Sequence, residues 1–151
     1  MQEVRNSNTV EITEERAERV VLAAVEEGIT ESTGDMSHRM DELASLAKAC
    51  YMEPVGMVIQ RLVTVNKGLY LGAGKVQELK ELCVRLEADL VVFNNSLTPS
   101  QLRNLQDLLD VPVMDRTTLI LEIFESRART REARLQVETA KLQYLLPRLV
   151  G

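Results

Sequence analysis

Four short apolar runs alternate with three amphipathic stretches over the first three quarters of the chain. R-V-V-L-A-A-V (19–25) is apolar without a break. A strand of that length shows both of its faces, so an uninterrupted run suits one covered on both sides, as in a parallel sheet. Met36, Met40, Leu43, Leu46, Ala47 and Cys50 then recur at helical spacing. Glu53-Pro54 closes that helix, because the residue before a proline disfavours helical geometry. V-G-M-V-I-Q-R-L-V (55–63) reads as a second strand. K-V-Q-E-L-K-E-L-C-V-R-L (75–86) is amphipathic, with Val76, Leu79, Leu82, Cys83 and Leu86 on one stripe. D-L-V-V-F (89–93) is a third strand. Thr98-Pro99-Ser100-Gln101 has the form of a helix start: Thr98 as cap, Pro99 in the first turn, Gln101 completing a capping box. Leu102, Leu105, Leu108 and Leu109 line the core face of that helix, and V-P-V-M (111–114) makes a fourth strand. The alternation predicts an α/β fold, a four-stranded parallel sheet with flanking helices.

Two segments stand outside this rhythm. The first fifteen residues are polar and predict a frayed start, and 26–35 read as a polar loop. From Arg116 to about Leu146 there is neither glycine nor proline, which predicts one long C-terminal helix of roughly 45 Å. Read by sevens, positions 121, 128, 135, 142 and 149 are Leu, Ala, Leu, Leu and Leu, flanked by Arg127, Arg134, Lys141 and Arg148. That is an apolar seam with a basic edge, the layout of a coiled-coil helix. The second row, Phe124, Arg131, Glu138 and Leu145, is too polar in its middle for a strong zipper. The pattern divides the chain into an α/β domain (1–115) and a basic-edged helix (116–151).

Charge follows this division. Residues 1–115 carry 11 Lys/Arg against 19 Asp/Glu, whereas 116–151 carry 7 against 4. Nucleic acid is therefore a partner for the tail alone. Aromatics make up only 3% of the chain, with no Trp, so the core must be aliphatic. No stretch approaches the ~20 apolar residues of a membrane span, and the start lacks the apolar segment of a signal peptide. Cys50 and Cys83 belong to no CxxC pair and read as free thiols of a cytoplasmic protein.

Candidate chemistry centres on K-G-L-Y-L-G-A-G-K (67–75). A phosphate-binding P-loop needs G-x-x-x-x-G-K-[ST]. Ending it at Gly74-Lys75 puts Leu69 at the first glycine and Val76 at the Mg²⁺-binding hydroxyl. A dinucleotide fingerprint fails at Gln77. Gly72, Gly74 and Lys75 could still hold an anion at a helix start, or the glycines merely permit a tight strand-to-helix turn. His38 is the only histidine and reads as solvated surface. A phospho-receiver domain would need an acid at the end of the third strand, where Asn94 and Asn95 stand. Asp115 ends the fourth strand and is positioned to cap the helix after it. No metal constellation and no catalytic residue emerge.

Y-L-G-A-G-K-V-Q-E-L (70–79), D-L-V-V-F-N-N-S-L-T-P-S-Q-L-R-N-L (89–105), V-P-V-M-D-R-T-T-L-I-L-E-I-F (111–124) and R-A-R-T-R-E-A-R-L-Q-V-E-T-A-K-L-Q-Y-L-L-P-R-L (127–149) strongly resemble HflX, a family of ribosome-associated GTPases. The resemblance spans about half the chain, and its last block is the most specific. It implies an α/β domain that leads into a hairpin of two long helices, followed by a GTP-binding domain. On that reading the chain is an amino-terminal fragment, its tail the first half of a helical hairpin, without the return helix or the G domain. GTP and Mg²⁺ are implied for the full-length protein and no cofactor for the fragment.

The resemblance also implies binding to the large ribosomal subunit, in ribosome splitting or rescue. Arg127, Arg129, Arg131, Arg134, Lys141 and Arg148 would then meet rRNA phosphates. The alternative is pairing with acids on the return helix, or with Glu122, Glu125, Glu132 and Glu138 along the same helix. Two other functions stay open: weak ATP binding and hydrolysis at Gly72–Lys75, where Ala73 departs from the family's usual polar turn, and self-association through the unpaired helix.

Overall fold

The structure, a computed structural model, describes residues 16–28 and 33–149. The predicted frayed start and the middle of the 26–35 loop lie outside the described residues. The order is β1 (Glu18–Glu27), α1 (Thr33–Ala49), β2 (Met52–Leu62), α2 (Ala73–Leu86), β3 (Leu90–Phe93), α3 (Pro99–Leu109), β4 (Val113–Asp115), α4 (Arg116–Arg127) and α5 (Arg131–Leu149). All strands are parallel, in the order β2-β1-β3-β4.

β1 explains the architecture. Val21, Ala23 and Val25 point into one layer, with Val76, Leu79 and Cys83 of α2 and Leu105 and Leu109 of α3. Val20, Leu22 and Ala24 point into the other, with Met40, Leu43 and Ala47 of α1 and Leu119 of α4. A central strand with helices on both faces has no polar side to show, hence its unbroken apolar run. β2 lies at an edge, which is why it tolerates Pro54 and a register shift opposite Val20/Val21. Helix α2 crosses β2 so closely that a Cβ on Gly56 would lie 2.6 Å from Leu86 Cδ1. At α3 the capping box is complete: Gln101 N donates to Thr98 Oγ1 (3.1 Å) and Thr98 N to Gln101 Oε1 (3.0 Å).

Cys83 is 3% exposed, and burial pushes its thiol up to about 11. With the folded value above the ordinary 9.0, its stabilising contribution is complete below pH 9 and is lost as pH rises toward 11. The melting temperature should hold from pH 7 to 9 and then fall, and fall less in Cys83→Ala, which has nothing to ionise at that site. Equal alkaline losses in both proteins would show that Cys83 takes no part.

A long C-terminal helix is present, but it begins at Arg131 and not at Arg116. The expected continuous span is divided at Ala128, whose backbone is extended (φ −70°, ψ 120°). Thr130 restarts the helix by accepting Ala133 N at its Oγ1 (3.0 Å). No glycine or proline marks this break, so tertiary contacts must set it. The second helix folds back along the first: Lys141 Nζ reaches Glu122 (2.9 Å) and Glu125 (2.8 Å), and Tyr144 reaches Asp115. The segment is thus already an antiparallel pair, α4 against α5, with α5 also touching α3.

Candidate functional site

The glycine-rich run connects β2 to α2, and several of its polar groups are committed to the fold. Asn66 Oδ1 accepts Gly68 N (2.8 Å) and Leu69 N (2.9 Å), while Asn104 Nδ2 donates to Gly68 O (3.0 Å). Gly72, the cap of α2, donates its N–H to Gln60 Oε1 (2.9 Å). That amide would have been the first to cradle an anion. Gly72 has ordinary extended angles, and what demands glycine is space, because a Cβ would sit 3.2 Å from Gln60 Nε2. Gly74 has nothing within 4 Å of such a Cβ, so no steric need explains it. Lys75 Nζ pairs with Glu78 (3.3 Å) one turn on. Val76, at the P-loop hydroxyl position, is buried in the core. These residues do not fit GTP with Mg²⁺.

The basic stripe is divided by the fold. Lys141 lies between two carboxylates, and its ammonium is held above its ordinary pKa by the hydrogen bonds it donates to Glu125 and Glu122, against the opposing cost of burial. Arg148 donates to Tyr144 O (2.7 Å) and Leu97 O (2.9 Å), with its guanidinium 3.6 Å from the centre of the Tyr144 ring. Both are occupied within the chain. Arg127, Arg129, Arg131 and Arg134 are exposed, and among the described residues none of them makes an ion pair. They cluster where α4 turns into α5, at the amino end of the sheet. Four guanidinium groups without an acidic partner around one turn make a strongly positive patch on an otherwise acidic molecule.

Asp115 does more than its sequence position suggested. It caps α4 through Thr118 N (3.1 Å) and Thr118 Oγ1 (3.0 Å). Its other oxygen accepts Leu97 N (3.1 Å) and the Tyr144 hydroxyl. At 2% exposure it ties β4, the β3–α3 connection and α5 together. Tyr144, which sequence reasoning passed over, has its hydroxyl pushed up by burial and by Asp115. Its one sequence signal is that it is the sole aromatic residue of α5. His38 stands on the exposed face of α1 beside Glu42, as expected. Among the described residues no group of side chains could hold a metal ion, and no helix is long and apolar enough to cross a membrane.

Residues 37–125 match the family model described as "GTP-binding GTPase N-terminal", and 127–151 match "GTP-binding GTPase Middle Region". The GTPase HflX of Caldanaerobacter subterraneus subsp. tengcongensis is 44% identical over 134 residues, 89% of this chain and 30% of that protein. The chain belongs to the HflX family. The HflX of Lacrimispora saccharolytica is 47% identical over 134 residues, 89% of this chain and 31% of that protein. The chain spans about a third of the length of these curated HflX relatives. The fold has a solved counterpart in a GTP-binding protein from Sulfolobus solfataricus in complex with GDP. Its TM-score is 0.58 at 24% identity, over 87% of this chain and 38% of that one. The two family models meet at the last turn of α4, beside the exposed arginines.

Proposed function

We propose that this is the non-catalytic binding and scaffold region of a cytoplasmic HflX-type GTPase that acts on the large ribosomal subunit in splitting or rescue. The observation that carries the reading is the exposed, unpaired set Arg127, Arg129, Arg131 and Arg134 at the α4–α5 turn. In an otherwise acidic domain, such a cluster directs one end of the molecule toward a polyanion. GTP and Mg²⁺ would be held by a G domain of the whole protein, which leaves this region to position and dock. Leu135, Leu142, Leu146 and Leu149 of α5 are each more than half exposed, and we assign that apolar stripe to the return helix of the longer relatives.

The test is co-sedimentation of this chain with isolated ribosomal subunits. Binding should be selective for the large subunit and should weaken steeply with salt, since counterions are released when phosphates are neutralised. Equal affinity for both subunits, or no pelleting at low salt, would overturn the reading. A self-associating chain would instead sediment as a dimer without ribosomes, as an unmatched apolar helix face permits.

A further inference from the structure

One aromatic side chain is unaccounted for by folding. Tyr51 joins α1 to β2 and is 87% exposed. Its backbone is left-handed (φ 63°), and its N–H closes the end of α1 on Lys48 O (3.0 Å). That position after a helix is usually glycine or asparagine, because a Cβ there is strained by about 1–2 kcal/mol. A tyrosine in this place carries the strain and buries almost nothing in return. Strain retained without a packing benefit points to function.

What surrounds Tyr51 indicates the ligand. A cavity of about 640 Å³ opens beside it, lined among others by Glu18, Cys50, Met52, Glu122 and Arg127. Arg127 connects this cavity to the arginines of the α4–α5 turn. Lys48, exposed in the last turn of α1, is a further cation three residues before Tyr51. Glu122 is neutralised by Lys141, which leaves Glu18 as the wall's other carboxylate. An uncovered aromatic face on a cavity that a guanidinium group also lines is what single-stranded RNA uses, with the base on the ring and the phosphates on the cations. A duplex keeps its bases stacked and cannot use the ring.

We propose that the amino end of the sheet binds one unstacked RNA nucleotide, its base on Tyr51 at the mouth of this cavity and its phosphates on Arg127 and Arg129. Glu18 faces the base edge, where it can accept from an exocyclic amine. The proposal rests on the ribosomal reading above but makes a separate demand, that the target be unpaired.

The test measures affinity of the whole chain for a short single-stranded RNA and for its duplex, alongside large-subunit binding. Tyr51→Ala should lose about 5- to 150-fold on the single strand, the worth of one base–aromatic stack, with little change on the duplex. Tyr51→Phe should retain single-strand binding. Tyr51→Gly should lose single-strand binding while melting higher than the parent chain, which separates a ligand contact from a folding role. Single-strand and large-subunit binding unchanged in Tyr51→Ala, yet lost when the arginines are removed, would overturn this inference and leave the ribosomal reading standing. Loss of neither on any of these changes would overturn both.

Discussion

Replacing Asp115 by Ala should cost about 3–5 kcal/mol, the largest effect expected of any polar substitution in this chain. The carboxylate is almost wholly buried and accepts four hydrogen bonds from three segments. Removing it deletes the α4 cap, worth about 1 kcal/mol. It also strands the Leu97 N–H and the Tyr144 hydroxyl, each at about 1–3 kcal/mol when unpaired and buried. For a chain of this size the melting temperature should drop by roughly 10 °C. Asp115→Asn keeps an acceptor but faces a donor with a donor, so it should fall between the two. Tyr144→Phe should cost less, about 1–2 kcal/mol, because the α4 cap and the Leu97 N–H keep their acceptor. Hydrogen exchange gives the local readout: amides of α5 should lose protection in Tyr144→Phe before those of β1 and β3. A melting temperature for Asp115→Ala within about 2 °C of the parent, under 1 kcal/mol at this size, would show that the joint is not held this way.

Changing Arg127, Arg129, Arg131 and Arg134 together to Ala should remove most of the affinity for the large subunit without unfolding the chain. All four side chains are exposed, so the melting temperature should move little. If each neutralises one phosphate, the parent chain loses about 150-fold in affinity between 50 and 200 mM salt, from a slope near −3.6. The fourfold variant should be nearly flat over that range, and each single change should lower the slope by about one. Lys141→Ala is the control. Its ammonium already lies between Glu122 and Glu125, so it should destabilise the α4–α5 pair and leave the salt slope unaltered. A fourfold variant with the parent's salt slope would move the ribosomal contact elsewhere on the molecule.

Much of this protein was legible in its sequence, because the signals concerned are local. The unbroken apolar run of β1 is what a strand buried on both faces requires, and it predicted the parallel sheet. Thr98, Pro99 and Gln101 announced α3 because a capping box closes within four residues. Leu69 and Val76 excluded a P-loop because that loop is defined by contiguous positions. The HflX blocks gave the family for the same reason.

The rest depended on contacts between residues far apart in the chain. Nothing between Arg116 and Leu146 breaks a helix by its own chemistry. The chain turns at Ala128 where α5 can fold back, with Lys141 meeting Glu122 and Glu125 and Tyr144 meeting Asp115, at separations of 16 to 29 residues. That turn decides which members of a uniform basic stripe have partners: it pairs Lys141 and Arg148 within the chain and leaves four arginines exposed. Gln60 likewise claims the Gly72 amide from twelve residues away, so the first amide of an apparent anion loop is already taken. Periodicity records which side chains can share a face of one element. Which charges remain unpaired is a property of the packed whole, because a partner's distance in space is fixed only when the elements have docked.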